Sequence, residues 1–273
     1  MMSLRLILPG MLFGLLATVM LILAALHIGH NTAADLIALE TNTDSDLDII
    51  LVDVDRALAV NISRPNSQDV SPFWSVDGGT LGFMSAIQHE GGTEAVISLF
   101  DPSSGQHTAV VMDSVSIDAI YDPAFTPDGT QIIFGDVIPG FFEETRIPHL
   151  LSMDGAVSEL DQHTDIAQNY IAVDRGLRNR AVPSPDGTQT MHLMQRSGGW
   201  HLVLHTGNDE RTLREVSSLT AVPKARLAWS PDGQRIAYLD VVQGRLSLIV
   251  LDLNTDQTWV YTDYLALDLA WSP

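Results

Sequence analysis

The chain has 273 residues, no cysteine, and 14 Lys and Arg against 34 Asp and Glu, for a formal net charge of −20. A surface of that sign repels a phosphate backbone, which excludes nucleic acid as a partner. The lack of cysteine removes disulfides, thiolate metal sites and lipid attachment through a thiol.

Residues 1–5 end in Arg5 and precede an uncharged apolar run over 6–26. At about 1.5 Å per residue the run is just long enough to cross a hydrocarbon core of about 30 Å. No Lys or Arg follows it until Arg56, so the charge bias puts the N-terminus in the cytoplasm and the rest outside. The stretch is longer than the usual core of a cleaved leader, and the one tolerable small-residue site, Thr32-Ala33-Ala34, lies past its end. Residues 6–27 are therefore read as a single-pass transmembrane helix, with a cleaved signal and a secreted or periplasmic product as the alternative.

Residues 28–47 read as a polar tether. The run Asp44-Ser45-Asp46-Leu47-Asp48 has alternating carboxylates, but it lacks the Gly and distal Glu of a calcium loop, so it is an acidic linker and no metal site is expected. Residues 48–63 look like two outer strands of a sheet whose inner pair is absent.

From there on one phrase recurs: Ser75-Val-Asp-Gly, Thr126-Pro-Asp-Gly, Ser184-Pro-Asp-Gly and Ser230-Pro-Asp-Gly, with a last copy, Ala270-Trp271-Ser272-Pro273, cut short. Pro presets φ, Asp bonds its own downstream backbone, and Gly supplies the positive φ that closes a tight turn. Asp77, Gly78, Asp128, Gly129, Asp186, Gly187, Asp232 and Gly233 are thus structural corner residues. Apolar runs flank each corner, as in Leu227-Ala-Trp229 and Ile236-Ala-Tyr238, and a second strand pair follows. The four Asp residues are 51, 58 and 46 residues apart, a period that marks stacked four-stranded units.

The pattern Leu-Ala-Trp-Ser-Pro-Asp-Gly-x-x-Ile-Ala-Tyr at 227–238 resembles the WD-like repeat of TolB-type β-propellers, over about residues 48–273. The reading is an all-β propeller with four whole blades, at about 70–117, 122–173, 181–221 and 226–263, plus partial ones. With no inner strand pair after Pro273, the closing blade is expected to stay unfinished in a C-terminally truncated chain.

Candidate binding residues fall in the long interval between the second and third corners. Phe141 and Phe142 follow Pro139-Gly140 as a possible anchor for a partner, and Arg175, Arg178 and Arg180 form the densest basic cluster, suited to gripping carboxylates. His201 and His205 share a strand face about 13 Å apart, too far for one ion. There is no G-x-S-x-G elbow, P-loop or G-x-G-x-x-G, so no cofactor and no catalysis are expected in this chain. The resemblance implies a membrane-tethered, extracytoplasmic module for a protein or peptide ligand in the cell envelope. The alternative is an accessory or gating propeller of a prolyl-oligopeptidase-like serine peptidase encoded beyond Pro273.

Overall fold

A computed structural model describes residues 36–43, 46–90, 92–111, 121–138, 145–168, 170, 181–217, 227–261 and 265–273. The apolar run at 6–26 lies outside the described residues. Among the described residues, no helix is long and apolar enough to cross a membrane.

The first strands are β1 (Leu36–Thr43), β2 (Asp46–Asp53) and β3 (Leu58–Asn61). Blade 1 follows with β4 (Ser67–Trp74), β5 (Leu81–His89), β6 (Gly92–Asp101) and β7 (Gln106–Val111). Blade 2 has β8 (Tyr121–Phe125), β9 (Gln131–Ile138), β10 (Thr145–Ser152) and β11 (Val157–Glu159). Blade 3 has β12 (Ala181–Pro183), β13 (Gln189–Arg196), β14 (Gly199–Thr206) and β15 (Asp209–Val216). Blade 4 has β16 (Leu227–Trp229), β17 (Arg235–Val242), β18 (Arg245–Asp252) and β19 (Thr258–Tyr261). The last strand, β20 (Leu265–Trp271), pairs with β1, so a fifth sheet of order β20-β1-β2-β3 takes strands from both ends of the chain. All pairings are antiparallel between strands adjacent in the sheet, which is the meander of a propeller blade.

Two expectations are corrected here. Residues 36–43 of the supposed tether are a strand, buried over 36–41, and the acidic run from Asp46 onward opens β2, exposed at Asp46 and buried from Ile49. The closing blade therefore has its four strands. Its corner is made between Ser272 and Leu36, which reproduce the hydrogen bonds of the intact turns. At each intact corner the Ser or Thr N–H donates to the carbonyl five residues on, as from Ser230 to Arg235 at 2.9 Å, and the Arg235 N–H donates back to Ser230 Oγ at 2.8 Å. In the closing blade Ser272 N–H donates to the Leu36 carbonyl at 2.8 Å, and the Leu36 N–H donates to Ser272 Oγ at 3.3 Å. Leu36 stands where Arg235 stands, and Ile37 faces Trp271 as Ile236 faces Trp229.

Alternation then assigns the faces. On β1, Ile37 and Leu39 join a cluster with blades 3 and 4, including Met191, Leu202, Trp229, Tyr238 and Leu248, while Leu36 and Ala38 pack on Leu81, Phe83 and Phe100 of blade 1. Phe73, Ile97, Ile132, Phe134 and Leu151 join blades 1 and 2. The tryptophan before the corner does more than fill this core. Trp74 Nε1 donates to the Ala270 carbonyl at 3.2 Å and Trp229 Nε1 to the Val182 carbonyl at 3.0 Å, in each case two residues before the corner serine of the adjacent blade. One repeat position thus ties two blade pairs in the same way.

Candidate functional site

The predicted corner residues are structural. Ser75, Thr126, Ser184 and Ser230 each donate to Oδ1 of the Asp two residues on, at 2.7, 2.6, 2.6 and 2.6 Å. The same Oδ1 accepts the N–H two residues further along, from Gly79, Thr130, Thr188 and Gln234, at 3.0–3.1 Å. Gly78, Gly129, Gly187 and Gly233 hold φ of 67–70°, where any side chain would be strained. The Ser75, Thr126 and Ser184 hydroxyls and these N–H groups hold the Asp77, Asp128 and Asp186 carboxyls below the ordinary carboxylate range. At Asp232 burial pulls upward, but the Ser230 and Gln234 hydrogen bonds outweigh it and the value is again lowered. These carboxylates are already engaged, and they offer a ligand little.

Phe141, Phe142, Arg175, Arg178 and Arg180 lie outside the described residues. By sequence offset alone, Arg180 stands four residues before Ser184, as Asp122 does before Thr126 and Asp268 before Ser272. His201 and His205 both lie on β14. His205 meets His192 of β13 edge-on at 4.6 Å and has Glu210 at 3.7 Å, while Arg196 closes on Glu210. Burial lowers the His192 pKa, and the neighbouring His205 adds to this. No group of three His, Cys, Asp or Glu suited to a metal occurs among the described residues.

An open cleft of about 550 Å³ lies between blades 3 and 4, at their corner ends. Its apolar floor is Leu204 and Leu253, and its walls present Gln189, Thr206, Arg211 and Asn254 together with Asp209 and Glu210. The β14–β15 and β18–β19 turns shape it. Gln189 Nε2 donates to Thr206 Oγ1 at 3.3 Å and Asn254 Nδ2 to Gln234 Oε1 at 3.0 Å, which fixes amide and hydroxyl groups at its edge. Across the same seam Arg214 pairs with Asp256 at 2.7 Å, holding the two blades in register. Its volume falls in the range of small-ligand sites, about 300–1,000 Å³, but its lining is more polar than theirs. Sequence reasoning missed it because its residues come from four separate turns and strands.

A second polar region is buried between the closing blade and blade 1. Glu40 and Asp268 face each other across β1 and β20, both almost wholly buried, on the side of the sheet turned to blade 1. Glu40 Oε2 accepts the N–H of Ser71 at 2.8 Å, at a bulge where Ser71 takes φ 55°. An equivalent bulge recurs in β8, with Asp122 at φ 46°. Two residues before Ser71 lies Asp69, 1% exposed, beside a set of serine hydroxyls.

No protein-family model and no curated protein matches the chain. Solved structures do. TolB from Acinetobacter baumannii is 18% identical over 88% of this chain and 55% of its own length, with a TM-score of 0.39. A chain of a nidogen/laminin complex is 12% identical over 88% of this chain and 98% of its own, with a TM-score of 0.44. The periplasmic gluconolactonase of Pseudomonas aeruginosa is 12% identical over 88% and 99%, with a TM-score of 0.49. At these identities the likeness concerns the fold. It corrects one expectation: with an enzyme among the similar propellers, this architecture does not exclude catalysis.

Proposed function

We propose that this chain is a propeller that binds a protein or peptide, and that the cleft between blades 3 and 4 receives an extended, basic segment of it. The observation that carries the reading is the open cleft itself, where fixed amide and hydroxyl groups stand over an apolar floor. Such groups pair with the main chain of an extended peptide, while Leu204 and Leu253 take an alternate side chain. Asp209 and Glu210 at the rim suit a Lys or Arg, and the net charge of −20 steers a basic partner toward the molecule. The apolar run before residue 28 supports a propeller tethered outside the cytoplasmic membrane and, with it, a partner in the cell envelope.

The test is selection of a hexapeptide library, Lys or Arg at each position in turn, on the full chain in detergent. Basic sequences should be enriched, and Thr206→Trp, which fills the cleft from the exposed end of β14, should abolish the enrichment. Equal enrichment on the variant, or none of basic over acidic peptides, would sink the reading.

A further inference from the structure

Asp69 sits on β4, 1% exposed, next to the closing blade, and the protons around it can be arranged in two ways. Ser67 Oγ lies 2.8 Å from the Arg64 carbonyl and 2.9 Å from Asp69 Oδ2. A serine hydroxyl has one proton to give and lone pairs to accept with. With Asp69 ionised, Ser67 donates to the carboxylate and the Arg64 carbonyl keeps only the long Ser67 N–H contact at 3.4 Å; with Asp69 protonated, the carboxyl donates to Ser67 and Ser67 donates to the Arg64 carbonyl at the shorter 2.8 Å. The corner serines have a different geometry. Ser230 Oγ is 2.6 Å from Asp232 Oδ1 but 3.2 Å from its second acceptor, so its proton belongs to the aspartate.

We infer that Asp69 is a buried proton-binding site, held as a neutral acid in a chain from Asp69 Oδ2–H to Ser67 Oγ–H to the Arg64 carbonyl, beside the closing blade. The surroundings agree. Asp69 Oδ1 is buried without a hydrogen-bond partner, which costs far less on the carbonyl of an acid than on a carboxylate. Ser63 and Ser85 lie close to the carboxyl and lower its pKa, but neither makes a hydrogen bond to Oδ1; Ser63 Oγ accepts from the Ile49 N–H and Ser85 meets Ser98 at 2.7 Å. The charged group that acts on Asp69 is Asp48 of β2, which also opposes ionisation. On the neighbouring elements Glu40 is tied to the Ser71 N–H and Asp46 to Gln68, and Arg64 turns its carbonyl to Ser67 while its guanidinium acts on His107. Burial, first, and then Asp48 raise the Asp69 pKa against the lowering effect of the serines.

Asp69→Asn in the full chain keeps the shape and supplies a permanent Nδ2–H donor to Ser67. The variant should melt at or above the wild-type Tm at neutral pH, and its advantage should shrink as pH falls below the ordinary 3.8, where the acid is protonated in both the folded and the unfolded state. The wild-type infrared spectrum, with aspartate labelled by 13C at the side-chain carboxyl, should show a protonated-acid C=O band at neutral pH that Asp69→Asn removes. A variant that fails to fold or melts lower at every pH would overturn the proposal. So would the absence of that band, or a wild-type Tm that rises with added Na+ or Ca2+, which would mark an ionised cation site instead.

Discussion

Ser67-Gln68-Asp69 and Ser230-Pro231-Asp232 are the same arrangement in sequence, a serine two residues before an aspartate whose oxygen it meets. Their chemistry runs in opposite directions. Asp232 stands at a corner where water and the Gln234 N–H support a negative charge, and its pKa is lowered. Asp69 lies beneath a neighbouring blade, its second oxygen meets no donor, and its pKa is raised. The local hydrogen bond is common to both; what sets the sign is how much solvation the rest of the fold removes. The same Ser-x-Asp pair has a lowered carboxyl pKa in one place and a raised one in the other.

The hydroxyl that both sites share allows the strongest test. Ser230→Ala leaves the part-buried Arg235 N–H without its acceptor and Asp232 with only the Gln234 N–H, and should destabilise the domain by about 1–3 kcal/mol in guanidinium unfolding. Paired amide variants should then separate the two sites by sign. Asp232→Asn exchanges a charge-assisted bond for a weaker one and should cost about 0.5–1 kcal/mol at neutral pH, whereas Asp69→Asn should not destabilise at all. A loss of similar size in both would erase the distinction.

The pH profile sharpens it further. For Asp77, Asp128, Asp186 and Asp232 the folded pKa lies below the ordinary 3.8, so their contribution is present above that value and lost as pH falls through the folded one. For Asp69 the folded pKa lies above 3.8, so its contribution is full below that value and lost as pH rises through the folded one. Urea midpoints measured across that range should fall on both sides of a maximum for the wild type, and the alkaline side should flatten in Asp69→Asn. The smallest effect concerns the corner that departs from its fellows. Val76, 62% exposed, occupies the place held by Pro in the other three copies, and Val76→Pro should raise the stability by about 0.5 kcal/mol by restricting the unfolded chain. A loss instead would show that the first corner is built differently.

Much of this fold can be read directly from the repeat, because a turn is a local object. Asp and Gly at fixed places satisfy the corner within five residues, and apolar alternation on either side announces the strands. Leu36–Thr43 escaped that reading because its corner is divided between the two ends of the chain, leaving no Asp-Gly to mark it. Its trace is Ile37-Ala38-Leu39, which matches Ile236-Ala237-Tyr238 in apolar character and in standing opposite a corner tryptophan. The cleft between blades 3 and 4 leaves no such trace, since Gln189, Arg211 and Asn254 meet only when two blades pack.

By itself, the order of residues settled the strand-corner-strand unit, the repetition of that unit and the acidity of the surface, all of which depend on near neighbours and composition. Only the packed structure decided that the two chain ends share a sheet, that Glu40 lies opposite Asp268, and that Asp69 loses its water while Asp232 keeps it. The reason is that desolvation is a property of everything brought within a few ångströms of a group, and for Asp69 that includes Asp48 and Ser63 of a different blade.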